Sequence, residues 1–308
     1  MVSLVGYTGF VGSNILAGGK NSIDYIYNSK NICEAYDTQP DILIYAGVRA
    51  EKFLANKNPE EDYKNILAAE ENISKIAPKK LILISTVDVL NNPNGMDESS
   101  AIDTENLNAY GYNRYMLEIW AREHYNDALI IRLPALFGKG LKKNFLYDLI
   151  NVIPAMIKVD KMDEICISNP LVKEYYKLQD NGFYKINVLT EEERISLKKV
   201  FTEIGFTALS FTDSRSKFQF YNLSSLWDDI NIALQNDILL WHPATEPISA
   251  AEIYKYVKGT EFNNILSNYS DYDYRTKYYS LWNGNNGYIK MKNDILKEIK
   301  DFCETFSI

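Results

Sequence analysis

The stretch that most restricts what this chain can fold into lies at its start: Val2-Ser3-Leu4-Val5, then Gly6-Tyr7-Thr8-Gly9-Phe10-Val11-Gly12. A short, mostly apolar run bounded by glycine reads as a buried parallel strand. Glycine at every third position then lets the backbone turn sharply, approach a phosphate closely and open a helix. That helix is expected over residues 10–17, with Gly18-Gly19 as its left-handed stop. The free N–H groups and dipole at its start favour an anion such as a pyrophosphate. Taken by themselves the glycines also fit a plain tight turn, so the rest of the chain has to decide.

The pattern that follows alternates. Residues 23–27 read as a second strand, 42–47 as a third ending in Ala46-Gly47, and 81–86 as a fourth with the hydroxyls Ser85-Thr86 at its exit. Helical spacing marks residues 59–77 and 110–125, and a strand over 128–133 stops at Pro134. Strands alternating with helices require a parallel sheet, so the fold class is α/β, a Rossmann-type doubly wound parallel sheet. The second half is less regular: 142–157 and 191–204 read as helical, 218–221 as a strand, 226–234 and 293–306 as helices, and 263–288 as loop. The expected division is 1–137 plus about 216–236 for the first domain, and about 138–215 plus 237–308 for a smaller mixed α/β domain.

Composition excludes several classes. With 308 residues, 46% of them apolar, the chain can bury a sizeable core. A net charge of -8 and a pI near 5.0 argue against a nucleic-acid binder, which needs a basic face. Cys33, Cys166 and Cys303 are far apart and form no C-x-x-C pair, so neither a disulfide framework nor a zinc site is expected and no metal is implied. With a strand from Val2 there is no room for a leader, and no apolar run reaches spanning length; the expectation is a cytoplasmic protein with no membrane partner.

Three stretches fall in one order. Gly6-x-x-Gly9-x-x-Gly12, then Ser85-Thr86, then Tyr110-Gly111-Tyr112-Asn113-Arg114 at a helix start resemble the extended short-chain dehydrogenase/reductases, the group of NAD-dependent epimerases and dehydratases that modify sugar nucleotides. Asp41 to Gly47, Asn65 in the following helix and Arg132-Leu133-Pro134-Ala135-Leu136-Phe137-Gly138-Lys139-Gly140 are similar to further phrases of the same group. The resemblance covers roughly the first 145 residues, with a weaker echo at 218–229. It implies a dinucleotide held by Gly6, Thr8, Gly9, Phe10, Val11, Gly12, Asn28, Ser29, Lys30, Ala46, Gly47, Val48, Asn65, Ser85 and Pro134. It implies catalysis by Tyr110 as acid/base, Thr86 as its hydrogen-bond partner and Arg114 as the neighbouring charge.

The side chains support that division of labour. Tyr110 and Arg114, four apart on a helix, share a face, and a cation beside a phenol lowers its pKa toward a useful range. Arg114 departs from the family, which usually has lysine here; an arginine keeps the charge but never gives up its proton. Val87-Asp88 follows Thr86 where dehydrating members carry an Asp-Glu pair, so a 4,6-dehydratase is not expected. NAD-preferring relatives often carry an acid after the second strand; here Asn28-Ser29-Lys30-Asn31 stands there, and Ser29 with Lys30 suits a 2′-phosphate, which favours NADP over NAD.

On the substrate side, Asn144-Phe145 resembles the family's entry to the substrate domain, while Asp88, Arg49 and Lys142-Lys143 are candidates to meet a nucleotide-sugar. The expected function is NAD(P)-dependent reduction or epimerisation of a nucleotide-activated sugar in surface-polysaccharide or glycan-precursor synthesis. Arg114 and the unusual second half also fit a cofactor-binding member without catalysis. Family members commonly pair through the Tyr-bearing helix, so a homodimer is expected, with Tyr115 and Trp120 at hand; both side chains also fit packing within their own core.

Overall fold

A computed structural model describes residues 1–306. By internal contacts the chain forms two compact units: Met1–Leu141 with Lys217–Ile248 and Asp271–Glu298, and Lys142–Ser216 with Ser249–Ser270 and Ile299–Ile308. Residues 237–248 and 271–298, expected in the second domain, thus fold with the first.

The first unit is built on a parallel sheet. Its strands β1 (Val2–Val5), β2 (Tyr25–Tyr27), β3 (Ile42–Tyr45), β4 (Lys80–Thr86) and β5 (Leu129–Leu133) are completed by an edge strand, Leu240–Trp241. Across the sheet they lie in the order β2-β1-β3-β4-β5-edge, all parallel, with Val5 opposite Tyr45 and Thr86 opposite Leu133. Successive side chains of a strand face opposite ways, and here both faces are apolar. Leu4, Ile44, Ile82 and Ile131 pack on one side with Ile15, Leu226 and Ile230. Val5, Leu43, Leu83 and Ile130 pack on the other with Ile66, Ile73, Leu117 and Ala121. Helix α1 (Phe10–Gly18) thus covers the first face, and α3 (Pro59–Ile76) and α4 (Ala109–His124) the second. This is the doubly wound Rossmann-type α/β fold the sequence implies.

The chain crosses from one side of β1 to the other between β2 and β3, so the order reverses beside β1. A crevice opens at the carboxyl ends of strands at such a reversal. Both the glycine loop after β1 and Ala46-Gly47-Val48 after β3 lie at that end.

The second unit holds a three-stranded antiparallel sheet, Met156–Lys158, Tyr176–Leu178 and Phe183–Ile186. Its helices are Phe145–Asn151, Val159–Ser168, Glu191–Glu203 and Ala250–Lys258. A cluster of Ile153, Ile157, Met162, Val172, Leu197 and Phe201 fills it.

Several local expectations change. The helix expected over 142–157 ends at Asn151, because Val152 takes φ +66° and Pro154 follows, and residues 156–158 become a strand. Residues 52–57, unassigned in the sequence, form a short helix, α2 (Lys52–Lys57). Gly19 is not left-handed, at φ −95°; its glycine is needed because a Cβ would lie 2.6 Å from the Trp227 ring.

Candidate functional site

The glycine loop is shaped by close backbone approach. Gly6 has φ +90°, and a Cβ on it would sit 2.4 Å from the Ala46 carbonyl oxygen; a Cβ on Gly12 would sit 2.2 Å from that of Gly6. The loops after β1 and β3 are therefore pressed together, with Ala46 N–H donating to the Val5 carbonyl at 2.9 Å. Gly9 is the N-cap of α1 and makes no side-chain capping bond, and the helix has no acid in its first turn. Thr8 and Gly9 are exposed, Phe10 and Val11 half-buried and Gly12 buried. Backbone N–H groups at a bare helix start beside two glycines without room for a side chain fit a dinucleotide's pyrophosphate.

Two long-range contacts place the other phrases. Asn14, on α1, donates from Nδ2 to the carbonyls of Phe10 (2.8 Å) and Lys139 (2.9 Å), which ties the segment after Pro134 to the first helix. Gly111 approaches the loop after β4 so closely that a Cβ would lie 2.2 Å from the Asp88 carbonyl oxygen. That approach brings the start of α4 to the end of β4. The Thr86 hydroxyl there acts on the Tyr110 phenol, and the Asp88 N–H donates to Thr86 Oγ1 at 3.2 Å.

The start of α4 is held by two side-chain acceptors: Asn108 Oδ1 takes the Gly111 N–H at 3.1 Å and Asn56 Oδ1, from α2, takes the Tyr110 N–H at 2.9 Å. Behind Thr86, Ser85 donates to the fully buried Glu118 at 2.6 Å. Glu118 also receives the Arg132 guanidinium, at 2.7 Å from Nη2. Arg132 in turn lies 3.3 Å from His242 Nε2. Ser85 is thereby part of a buried polar chain that fixes the strand exit, and its hydroxyl is already engaged.

Arg114 sits with its guanidinium 4.1 Å from the centre of the Tyr110 ring. It is only 4% exposed, and it pairs with the buried Asp62 of α3 and donates to the Arg49 carbonyl. Its charge is thus met by a carboxylate as well as by the ring. The expectation of a phenol brought down to a useful range is corrected here. Tyr110 is raised above the ordinary tyrosine value: burial dominates and Asp88 adds to it, while Arg114, Lys52 and the Thr86 hydrogen bond act the other way without prevailing.

Of the remaining expected residues, Asn28, Ser29 and Lys30 form the turn after β2, with Lys30 N–H on Asn28 Oδ1 at 2.8 Å and the Ser29 and Lys30 side chains exposed. Gly47 and Val48 lie in the loop pressed against Gly6, and Pro134 directly follows β5. Arg49 is exposed. Asn65 is not brought to the group: it is exposed on α3, where its Nδ2 donates to its own helix at the Glu61 carbonyl, and Asp62 one turn earlier makes that helix's contact. Asn144 belongs to the second unit and caps its first helix, accepting the Tyr147 N–H at 3.1 Å. Tyr115 packs beside Val87, Val89 and Tyr274, and Trp120 stacks on His124 with ring centres 4.7 Å apart.

Sequence reasoning passed over Lys52, Asp62, Glu118 and Tyr272. Lys52 Nζ lies 2.6 Å from Asp88 Oδ1, and Tyr272 feels both charges. The one available signal was Asp62, an acid on the helix expected over 59–77.

A parallel sheet with a glycine loop at its reversal point, and a tyrosine-bearing helix against the fourth strand's exit, defines a Rossmann-type α/β domain. Residues 23–168 match the NAD dependent epimerase/dehydratase family, the family whose motifs the sequence resembles. Among solved structures the chain is similar to dTDP-4-dehydrorhamnose reductase from Yersinia enterocolitica, at 13% identity and TM-score 0.64, covering 99% of both chains. It is similar to dTDP-4-dehydrorhamnose reductase from Bacillus anthracis in complex with NADP, at 18% identity and TM-score 0.62, covering 99% of this chain and 98% of that one. It is also similar to UDP-N-acetylglucosamine 4-epimerase from Methanobrevibacter ruminantium M1, at 10% identity and TM-score 0.63, covering 98% and 96%. These likenesses show a shared fold. No curated protein matches the chain. Among the described residues no helix is long and apolar enough to cross a membrane, and no cluster of His, Cys, Asp or Glu could hold a metal ion.

Proposed function

We propose that this chain is an NAD(P)-dependent oxidoreductase or epimerase acting on a nucleotide-activated sugar, by 4-keto reduction or transient 4-keto epimerisation. The observation that carries it is the meeting of Thr86, Tyr110 and Arg114 at the β4 exit, in the same unit as the glycine loop at the sheet's reversal. The family match over residues 23–168 and the nucleotide-sugar enzymes among the structural neighbours support the substrate class. Both reactions need a hydride carrier and one acid/base, and the site offers one phenol for that second task. A bound nicotinamide cofactor would supply or accept hydride.

The chain's own part is proton handling. Tyr110 gives a proton to the sugar oxygen in reduction, or takes it in oxidation, while Thr86 holds that oxygen by a hydrogen bond. A buried, raised phenol is well suited to stay protonated as a donor, which favours the reductive direction. The loop 28–31, with Ser29 and Lys30 exposed and no acid, favours NADP over NAD. Asp88, Arg49 and Asn144 are proposed to contact substrate. Synthesis of surface-polysaccharide or glycan precursors in the cytoplasm, by a homodimer, completes the reading.

Titration calorimetry with NAD, NADP and their reduced forms, alone and with a panel of UDP-, GDP-, CDP- and dTDP-sugars, tests it. One dinucleotide should bind, and more tightly with one sugar nucleotide; on that substrate Tyr110→Phe should cost about a hundredfold or more in kcat. Absence of dinucleotide binding, or unchanged turnover in the variant, overturns the assignment. One observation favours a second reading, a cofactor-binding member without catalysis: Arg114 is committed to Asp62 and the Arg49 carbonyl. Binding without hydride exchange, and activity gained by Arg114→Lys, would decide for it.

A further inference from the structure

Arg114 carries a charge that cannot be exchanged, and Asp62 faces it. A second cation also acts on the phenol, that of Lys52. Lys52 and Asn56 are four apart on α2 and so share a face. That face is laid against the start of α4, since Asn56 Oδ1 accepts the Tyr110 N–H. Lys52 consequently reaches the loop after β4, where its Nζ lies 2.6 Å from Asp88 Oδ1. Its side chain is 45% exposed and that of Asp88 22%, so the pair stands where the site meets solvent.

The geometry points to Lys52 as a positioning residue of this site: by pairing with Asp88 it offsets the one carboxylate that opposes ionisation of Tyr110. The inference rests on the reading of Tyr110 as the acid/base, but it concerns the free protein's electrostatics and is measured there. Asp88 is held twice, by Lys52 at its carboxylate and through its own N–H on Thr86. Without Lys52 that carboxylate would face a phenol already disfavoured by burial. The groups acting on the phenol are Thr86 and Asp88 after β4, Lys52 on α2, and Arg114 on α4 with Asp62 of α3 behind it, while Tyr272, from the segment after residue 270, acts on Lys52 and is acted on by Lys52 and Asp88. Of these cations only Lys52 can lose its charge. The pairing also occupies Asp88, whose position follows the motif hydroxyl, so the site presents the substrate with a neutralised pair in place of a free base.

The test places 3,5-difluorotyrosine at position 110 in the full chain, so that the phenol titrates where the protein stays folded and one fluorine signal reports it. Lys52→Met should raise the midpoint and Asp88→Asn should lower it, each by about one pH unit. The double variant should return close to the parent, and Lys52→Arg should leave the midpoint in place. An unmoved or lowered midpoint in Lys52→Met, or a double variant that keeps the full rise of Lys52→Met, overturns the inference. Because no substrate or cofactor is in the tube, a failure here leaves the proposed reaction standing, and failure of that reaction leaves this result readable.

Discussion

The acids behind the first unit's β4 exit and Asp148 of the second unit are held in opposite ways. In the first, Glu118 at 0% exposure and Asp62 at 8% each meet a buried guanidinium, that of Arg132 and that of Arg114. In the second, Asp148 lies in the opening turn of the helix Phe145–Asn151, and burial alone pushes its carboxyl up to about 7. A buried charge that is paired and hydrogen-bonded fixes the groups around it, whereas an uncompensated one takes up a proton instead. The first arrangement is found where side chains must be aimed: Glu118 holds Ser85 beside Thr86, and Asp62 holds Arg114 on the Tyr110 ring. The difference teaches that the β4 exit is backed by buried, paired charges that fix its side chains.

The strongest way to break the comparison is to remove Glu118. Glu118→Leu strands Arg132 in the interior, and should cost about 3–5 kcal/mol of stability in urea unfolding. Adding Arg132→Met should recover most of that loss, because two apolar side chains replace a pair whose desolvation is itself costly. Failure of the single variant to destabilise would mean that Arg132 finds another partner, with His242 the nearest.

The same contrast separates what could be read in the chain from what could not. Gly6 to Gly12, Ser85-Thr86 and Tyr110 to Arg114 were legible because each is a short local phrase with its own conformational demand. The sheet was legible for a similar reason: strands covered on both faces are continuous apolar runs. The partners of these phrases were not. Asp62 is 52 residues from Arg114, and Lys52 is 36 from Asp88, in a six-residue helix too short for periodicity to reveal. The net rise of the Tyr110 phenol was illegible too, since burial, its chief cause, is set by packing. The second unit had only Asn144-Phe145 to read, and nothing local to Val152 announces its positive φ and the break there.

A smaller effect sharpens the comparison from the second unit. The folded-state value of Asp148, about 7, lies above its ordinary value of 3.8, so the folded state holds a proton that the unfolded chain releases. Its contribution is fully present below pH 3.8 and is lost as pH rises through about 7, at up to about 1.4 kcal/mol per pH unit. Asp148→Asn, neutral throughout, should therefore be more stable than the parent at pH 8, by about 2–4 kcal/mol, and nearly equal to it at pH 4. Thermal melts at the two pH values check it, and a gain that does not grow with pH would mean that Asp148 is charged and compensated.

The first unit should show the opposite sign. His242 is fully buried beside Arg132, its Nδ1 3.2 Å from the Arg275 carbonyl and its own N–H on Glu98. Burial, and then Arg132, bring it down from 6.5 to about 3. Here the unfolded chain binds the extra proton, so stability is whole above pH 6.5 and falls as pH drops toward about 3. The slope is at most about 1.4 kcal/mol per pH unit and the total to pH 5.5 only about 1 kcal/mol. His242→Gln keeps an acceptor for Arg132 without taking up a proton, so its stability should decline less steeply than the parent's between pH 6.5 and 5. Parallel declines in urea midpoints would place a charged imidazole in the folded state. That result would also leave Arg132 without an acceptor on His242, since both nitrogens of a charged imidazole donate, and Glu118 would hold it alone.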